Sequence, residues 1–239
     1  MTSFTHEQIE QLLVAANRVR EKQASLTEAI EILTAVSSLS SDADYWHGSV
    51  HSQAGLANCY RLLFQETHDP QFQKLMETHA RQALALVEPP PSPVTDEINT
   101  AYETMAQMFA TNYDWPQSLV WWEKLLAVNS VRDAYYGRIL EHLAQAQWQS
   151  GQTDLAETTV NQAVSTIKQN DERSISPDHD YRWRVWLTGA LMKQLFILTK
   201  LNKPQEAQQV MSELESQLSD PRLSHRQRQY LDLKKELNL

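Results

Sequence analysis

Cysteine is almost missing from this chain: Cys59 is the only one among 239 residues. No internal disulfide is possible, and a lone cysteine between Asn58 and Tyr60 in an apolar helical pattern is expected to be a buried thiol. Glycine is scarce, at 5 residues. No Gly-x-Gly-x-x-Gly or other phosphate loop is found. No stretch approaches the ~18 apolar residues needed to cross a bilayer, so membrane insertion is not expected. Met1 to Arg20 lack the apolar run of a signal peptide, and a cytoplasmic location is the expectation. Lys/Arg-rich runs are missing too, and the formal net charge is −9. Phosphate neutralisation drives nucleic-acid affinity, so a nucleic-acid partner is not expected, nor is an anionic membrane surface. Strand-like β-branched alternation is hard to find.

What the chain has in quantity is Ala, Leu, Gln and Glu, which are good helix formers. The fold class expected is all-α. A pattern of large, apolar, small and large residues recurs on successive predicted helices. It is carried by Leu12, Ala15, Ala16 and Val19, then by Gln53, Leu56, Ala57 and Tyr60. Tyr102, Met105, Ala106 and Phe109 carry it next, followed by Leu140, Leu143, Ala144 and Gln147. A turn and a second apolar helix follow each copy, the mark of a stacked helix-hairpin array.

Five hairpins are expected, at 5–38, 44–87, 95–128, 131–169 and 181–218, with a capping helix at 224–237, all in one repeat domain over 1–239. Thr5 with Gln8, Ser25 with Glu28, and Ser224 with Gln227 have capping-box spacing. Asp114 is an expected N-cap with Pro116 in the first turn. Turns are expected at His68-Asp69-Pro70, Ser150-Gly151-Gln152 and Asn202-Lys203-Pro204. Pro89, Pro90, Pro91 and Pro93 should stiffen an inter-hairpin spacer. The polar stretch 170–180 is expected to be a mobile loop.

These residues resemble the tetratricopeptide repeat (TPR) family. The best copies are Tyr102, Met105, Ala106 and Phe109 with Ser118 and Trp122, and Leu140, Leu143 and Ala144 with Gly151, Ala156, Val160 and Ala163. The successive copies lie further apart than the family's usual period of about 34 residues, so helices or connectors must be longer. The resemblance implies a right-handed α-solenoid and a non-enzymatic scaffold, adaptor or assembly factor. Its partner would be another protein or peptide, bound as an extended segment in the concave groove. A peptide-sensing regulator, whose superhelix closes on a short signalling peptide, is the alternative.

The residue after each small position is Asn17, Asn58, Gln107 and Gln145. The resemblance puts this position on the groove. A carboxamide both donates and accepts, so a row of them can pair with the backbone of a peptide whatever its side chains. Arg20 and Arg61 follow Asn17 and Asn58 by three residues, on the same helix face. Arginine binds carboxylates through two parallel hydrogen bonds, so these two could hold an acidic group. They look like part of the carboxylate clamp of some family members, but that clamp's lysines are absent from the matching positions. His47 and His51 have the i, i+4 spacing of a metal pair, with Asp44 one turn earlier. There is no His-Glu-x-x-His, and Gly48 weakens the helix between them, so no metal site is expected. Glu141 and His142 lack a nucleophile, and no catalytic residue or cofactor is expected. Trp121 and Trp122 cannot both face one core, so one should pack against a neighbouring hairpin or a partner.

Overall fold

The computed structural model describes residues 4–21, 25–88 and 96–239, and 84% of these residues are helical. Among the described residues there is no strand, and helix follows helix throughout. The chain divides into two compact units, Met1–Val128 and Asn129–Leu239.

Unit 1 holds α1 (His6–Glu21), α2 (Leu26–Asp42), α3 (Trp46–Thr67), α4 (Pro70–Val87), α5 (Asp96–Thr111) and α6 (Trp115–Val128). Their starts follow from local chemistry. Thr5 accepts from the Gln8 amide at 3.3 Å while Gln8 Oε1 accepts from the Thr5 amide at 2.9 Å, a closed capping box. Ser25 caps α2 through the Glu28 amide at 3.1 Å. Asp69 caps α4 with Pro70 in its first turn, and Asp114 accepts from Gln117 N at the head of α6. The polar stretch Ser37 to Asp44, expected as a connector, is helical over most of its length. α2 continues to Asp42, and Ser40 is fully buried there. The proline-rich spacer 89–93 lies outside the described residues.

The helices pair as α1–α2, α3–α4 and α5–α6, and α3 also packs on α1 and α5. The small residues permit this. Ala16, Ala57 and Ala106 are buried in α1, α3 and α5, and Ser118 Oγ donates to the Ala106 carbonyl at 2.9 Å. Ile9, Leu13, Leu33, Val36 and Leu56 form an apolar core there with Cys59. Fully burying each Leu or Ile side chain contributes about 1.5–3 kcal/mol. Trp121 and Trp122 are both buried: Trp121 meets Tyr102 edge-on at 5.3 Å and carries Lys124 Nζ over its face at 3.9 Å.

Unit 2 holds α7 (Ala134–Gln149), α8 (Thr153–Gln169), α9 (Pro177–Lys200), α10 (Pro204–Gln217), a 3-10 turn (Pro221–Leu223) and α11 (Ser224–Leu237). Here α7 pairs with α8 and α9 with α10, while α9 also packs on α7, α8 and α11. α9 starts four residues before the expected 181. Ser176 caps it by accepting from His179 N, and Pro177 opens its first turn. The stretch outside helix is therefore shorter than 170–180. At the last helix Ser224 is already helical, and Gln227 Nε2 donates to the Leu218 carbonyl instead of completing a capping box.

Candidate functional site

α3 packs between α1 and α5 in unit 1, so the three helices form one row. Asn17, Asn58 and Gln107 each follow a buried alanine in that row, and each is half-buried. Asn58 Oδ1 accepts from Arg61 Nε at 3.3 Å, and Arg61 Nη1 donates to Gln65 Oε1 at 3.2 Å. Gln107 Nε2 donates to Glu103 Oε1 at 2.7 Å, while its Oε1 is shielded from solvent without a hydrogen bond. A buried acceptor left open is unusual in a folded protein.

Arg20 and Arg61 stand one turn beyond Asn17 and Asn58, on α1 and α3. Burial pushes the pKa of the Cys59 thiol up, and the charges of Arg20 and Arg61 oppose that rise. Gln145 occupies the equivalent register after buried Ala144, but on α7 of unit 2, where it too is half-buried.

The opposite end of the α3 face carries different chemistry. His47 and His51 lie one turn apart, with ring centroids 4.1 Å from each other. His47 Nδ1 donates to Glu97 Oε1 at 2.5 Å, and Glu97, the second residue of α5, is buried. His47 Nε2 lies 3.5 Å from Glu10 Oε1 on α1, which also accepts from the Tyr45 hydroxyl at 2.7 Å. Burial, and then the Glu10 hydrogen bond, push the Tyr45 pKa up to about 12. His51 Nε2 stands 3.4 Å from Asp96 Oδ2, close enough for the imidazole to hold the Asp96 carboxyl below its usual range. Asp44, the acid expected beside the histidines, instead occupies a left-handed turn ahead of α3. The histidine spacing was visible in the sequence. Glu97 and Glu10 were not, because they arrive from other helices.

In unit 2 one acid is buried among cations. Glu141 is 4% exposed, and its carboxylate and Arg226 Nη2 of α11 both border Gly189 of α9. A Cβ on Gly189 would lie 2.9 Å from Glu141 Oε2 and 3.2 Å from Arg226 Nη2, so glycine leaves the room both groups use. Burial pushes the pKa of Lys193 and of Arg226 down, and the Glu141 charge pulls both back up.

Among the described residues no helix is long and apolar enough to cross a membrane. No protein-family model matches the sequence. No curated protein matches it either. Solved structures do resemble it. One is a Podosopora anserina protein assigned as a kinesin light chain with nearly identical TPR-like repeats. It is 16% identical, with a TM-score of 0.58 over 89% of this chain and 95% of that one. A single-residue variant of that protein gives 17% identity and a TM-score of 0.60, over 92% of this chain and 100% of that one. At such identities the likeness concerns the fold, and in fold this chain is a TPR-like helical repeat protein.

Proposed function

We propose that the chain is a protein-interaction scaffold and that the inner face of α1, α3 and α5 receives an extended segment of another protein. The fold is one generally used for protein–protein contacts. The observation that carries the finer reading is the common register of Asn17, Asn58 and Gln107 on α1, α3 and α5, with Arg20 and Arg61 one turn beyond the first two. The segment's backbone pairs with the carboxamides, Gln107 Oε1 accepting a peptide N–H it now lacks. An acidic side chain or C-terminus lies toward the arginines, where two parallel hydrogen bonds can hold it. Gln145 carries the same chemistry at the equivalent register in unit 2.

A random peptide library selected on the whole chain tests this. Selected peptides should bind the Asn58→Ala/Gln107→Ala double variant more weakly by about 1–3 kcal/mol, two hydrogen bonds' worth. Arg61→Ala should flatten the salt dependence of binding. Unchanged affinity in the double variant would move the binding surface elsewhere.

A further inference from the structure

The cluster at the other end of the α3 face has the composition and spacing of a metal centre. One donor atom each from His47, His51 and Glu97 can be chosen so that all lie within 4.8 Å of one another. We infer that His47, His51 and Glu97 bind a divalent transition metal of the zinc class. Imidazole nitrogens with one carboxylate suit zinc and its neighbours, whereas calcium and magnesium prefer oxygen donors alone.

Four features of the site support this. His51 Nε2 is shielded from solvent and makes no hydrogen bond of good geometry; its nearest carboxylate, Asp96, stands 3.4 Å away, so the nitrogen is free to turn toward an ion. With His47 Nδ1 toward Glu97, its Nε2 faces Glu10, the carboxylate-behind-histidine arrangement that orients metal-binding imidazoles. Tyr45 holds Glu10 in turn. Finally, the His47 side chain is 32% exposed, which leaves an entry path for an ion. The glycine between the histidines does not loosen them. Gly48 is buried where α3 meets α1 and α2, and a Cβ there would fall 2.2 Å from Ser40 Oγ. It seats the head of α3 against its neighbours while His47 and His51 stay on the α5 side.

Without metal, His47 Nδ1 donates to Glu97 at 2.5 Å. When the ion takes Nδ1, the imidazole carries its one proton on Nε2, toward Glu10. The His47–Glu97 pair opens and His51 closes in, toward the spacing of roughly 3.3 Å that zinc–ligand bonds of about 2.0–2.1 Å require. Three protein ligands leave one position, which water or Asp96 can fill; the Asp96 side chain is 72% exposed.

The test is calorimetric titration of the metal-stripped full chain with Zn²⁺, with folding checked by circular dichroism. One ion should bind per chain. His47→Ala and His51→Ala should each weaken binding at least tenfold, and Glu10→Gln, which leaves the ligands in place, about tenfold. Should the histidine variants fail to fold, the zinc X-ray absorption spectrum of the unaltered chain decides, since it must show two imidazoles and no sulfur. Absence of zinc uptake, undiminished uptake by a folded His47→Ala/His51→Ala variant, or fewer than two imidazoles in the spectrum would each overturn the assignment and leave a hydrogen-bonded cluster.

Discussion

Unit 1 and unit 2 are built from the same kind of hairpin and both carry a half-buried carboxamide after a buried alanine, yet they differ in the charged groups set beside that register. In unit 1 the carboxamides of Asn17, Asn58 and Gln107 stay half-buried, and Gln107 keeps an acceptor unfilled. In unit 2 Glu141 is buried and shares the space over Gly189 with Arg226 of α11. The same kind of hairpin therefore carries different electrostatics in the two units, and in unit 2 part of it comes from the last helix.

The largest effect should come from breaking the enclosed arrangement. Glu141→Ala takes from Arg226 and Lys193 the buried carboxylate that favours their charge, leaving Lys193 only Glu236, and removing one member of a buried charge group typically costs about 3–5 kcal/mol. Denaturant melting should show that loss. Gln107→Ala in unit 1 should cost less than about 1 kcal/mol, because that amide is already only partly satisfied. Equal losses in the two variants would erase the distinction between the units.

Next in size is a packing change that unit 1 should feel in its core and not on its polar face. Ala106 is fully buried, and Ala106→Leu should overpack the α5–α6 contact at a cost of about 1–3 kcal/mol. A variant melting like the parent would mean that the alanine row does not set the spacing of the helices.

The smallest effect concerns acid. Hydrogen bonds from Arg222 hold the Asp220 carboxyl at a pKa of about 2. A carboxyl held below its unfolded value stabilises the fold above the ordinary pKa of about 3.9, and that stability is lost as pH falls from there toward 2. Because the Arg222 side chain is 45% exposed, the contribution should be near 1 kcal/mol. In acid melts, Asp220→Asn should reduce the loss between pH 4 and pH 2; an unchanged profile would remove this ion pair from the features that distinguish unit 2.

Much of the helical layout was legible in the sequence because short-range rules govern it. The Thr5–Gln8 and Ser25–Glu28 caps and the buried alanines needed only neighbours within a few residues. Local signals also misled. Ser176-Pro177 has the composition of a loop, yet as cap and first residue it starts α9. Ser37 to Asp42 is polar enough to suggest a connector, but packing against the head of α3 buries Ser40 and keeps the segment helical. At the candidate site, the register of Asn17, Asn58 and Gln107 followed from their place after the alanines. The partner of His47 did not, since Glu97 lies 50 residues away. The same holds for Arg226, whose meeting with Glu141 depends on how α11 docks on α9.

The shortage of glycine has an evolutionary side. Asp44, His68, Tyr113, Asn202 and Asn238 all hold left-handed backbone, at φ from 51° to 58°. For a residue with a Cβ that conformation costs roughly 1–2 kcal/mol. Four of these positions lie just before a helix or between the helices of a hairpin, away from the alanine row and the inner polar groups. Gly151 is the one glycine that occupies such a backbone. The turns therefore hold a reserve of stability that single substitutions could release without touching the packed core. A lineage that needed to tolerate costly changes on its inner face could draw on that reserve first, at positions where no partner need notice.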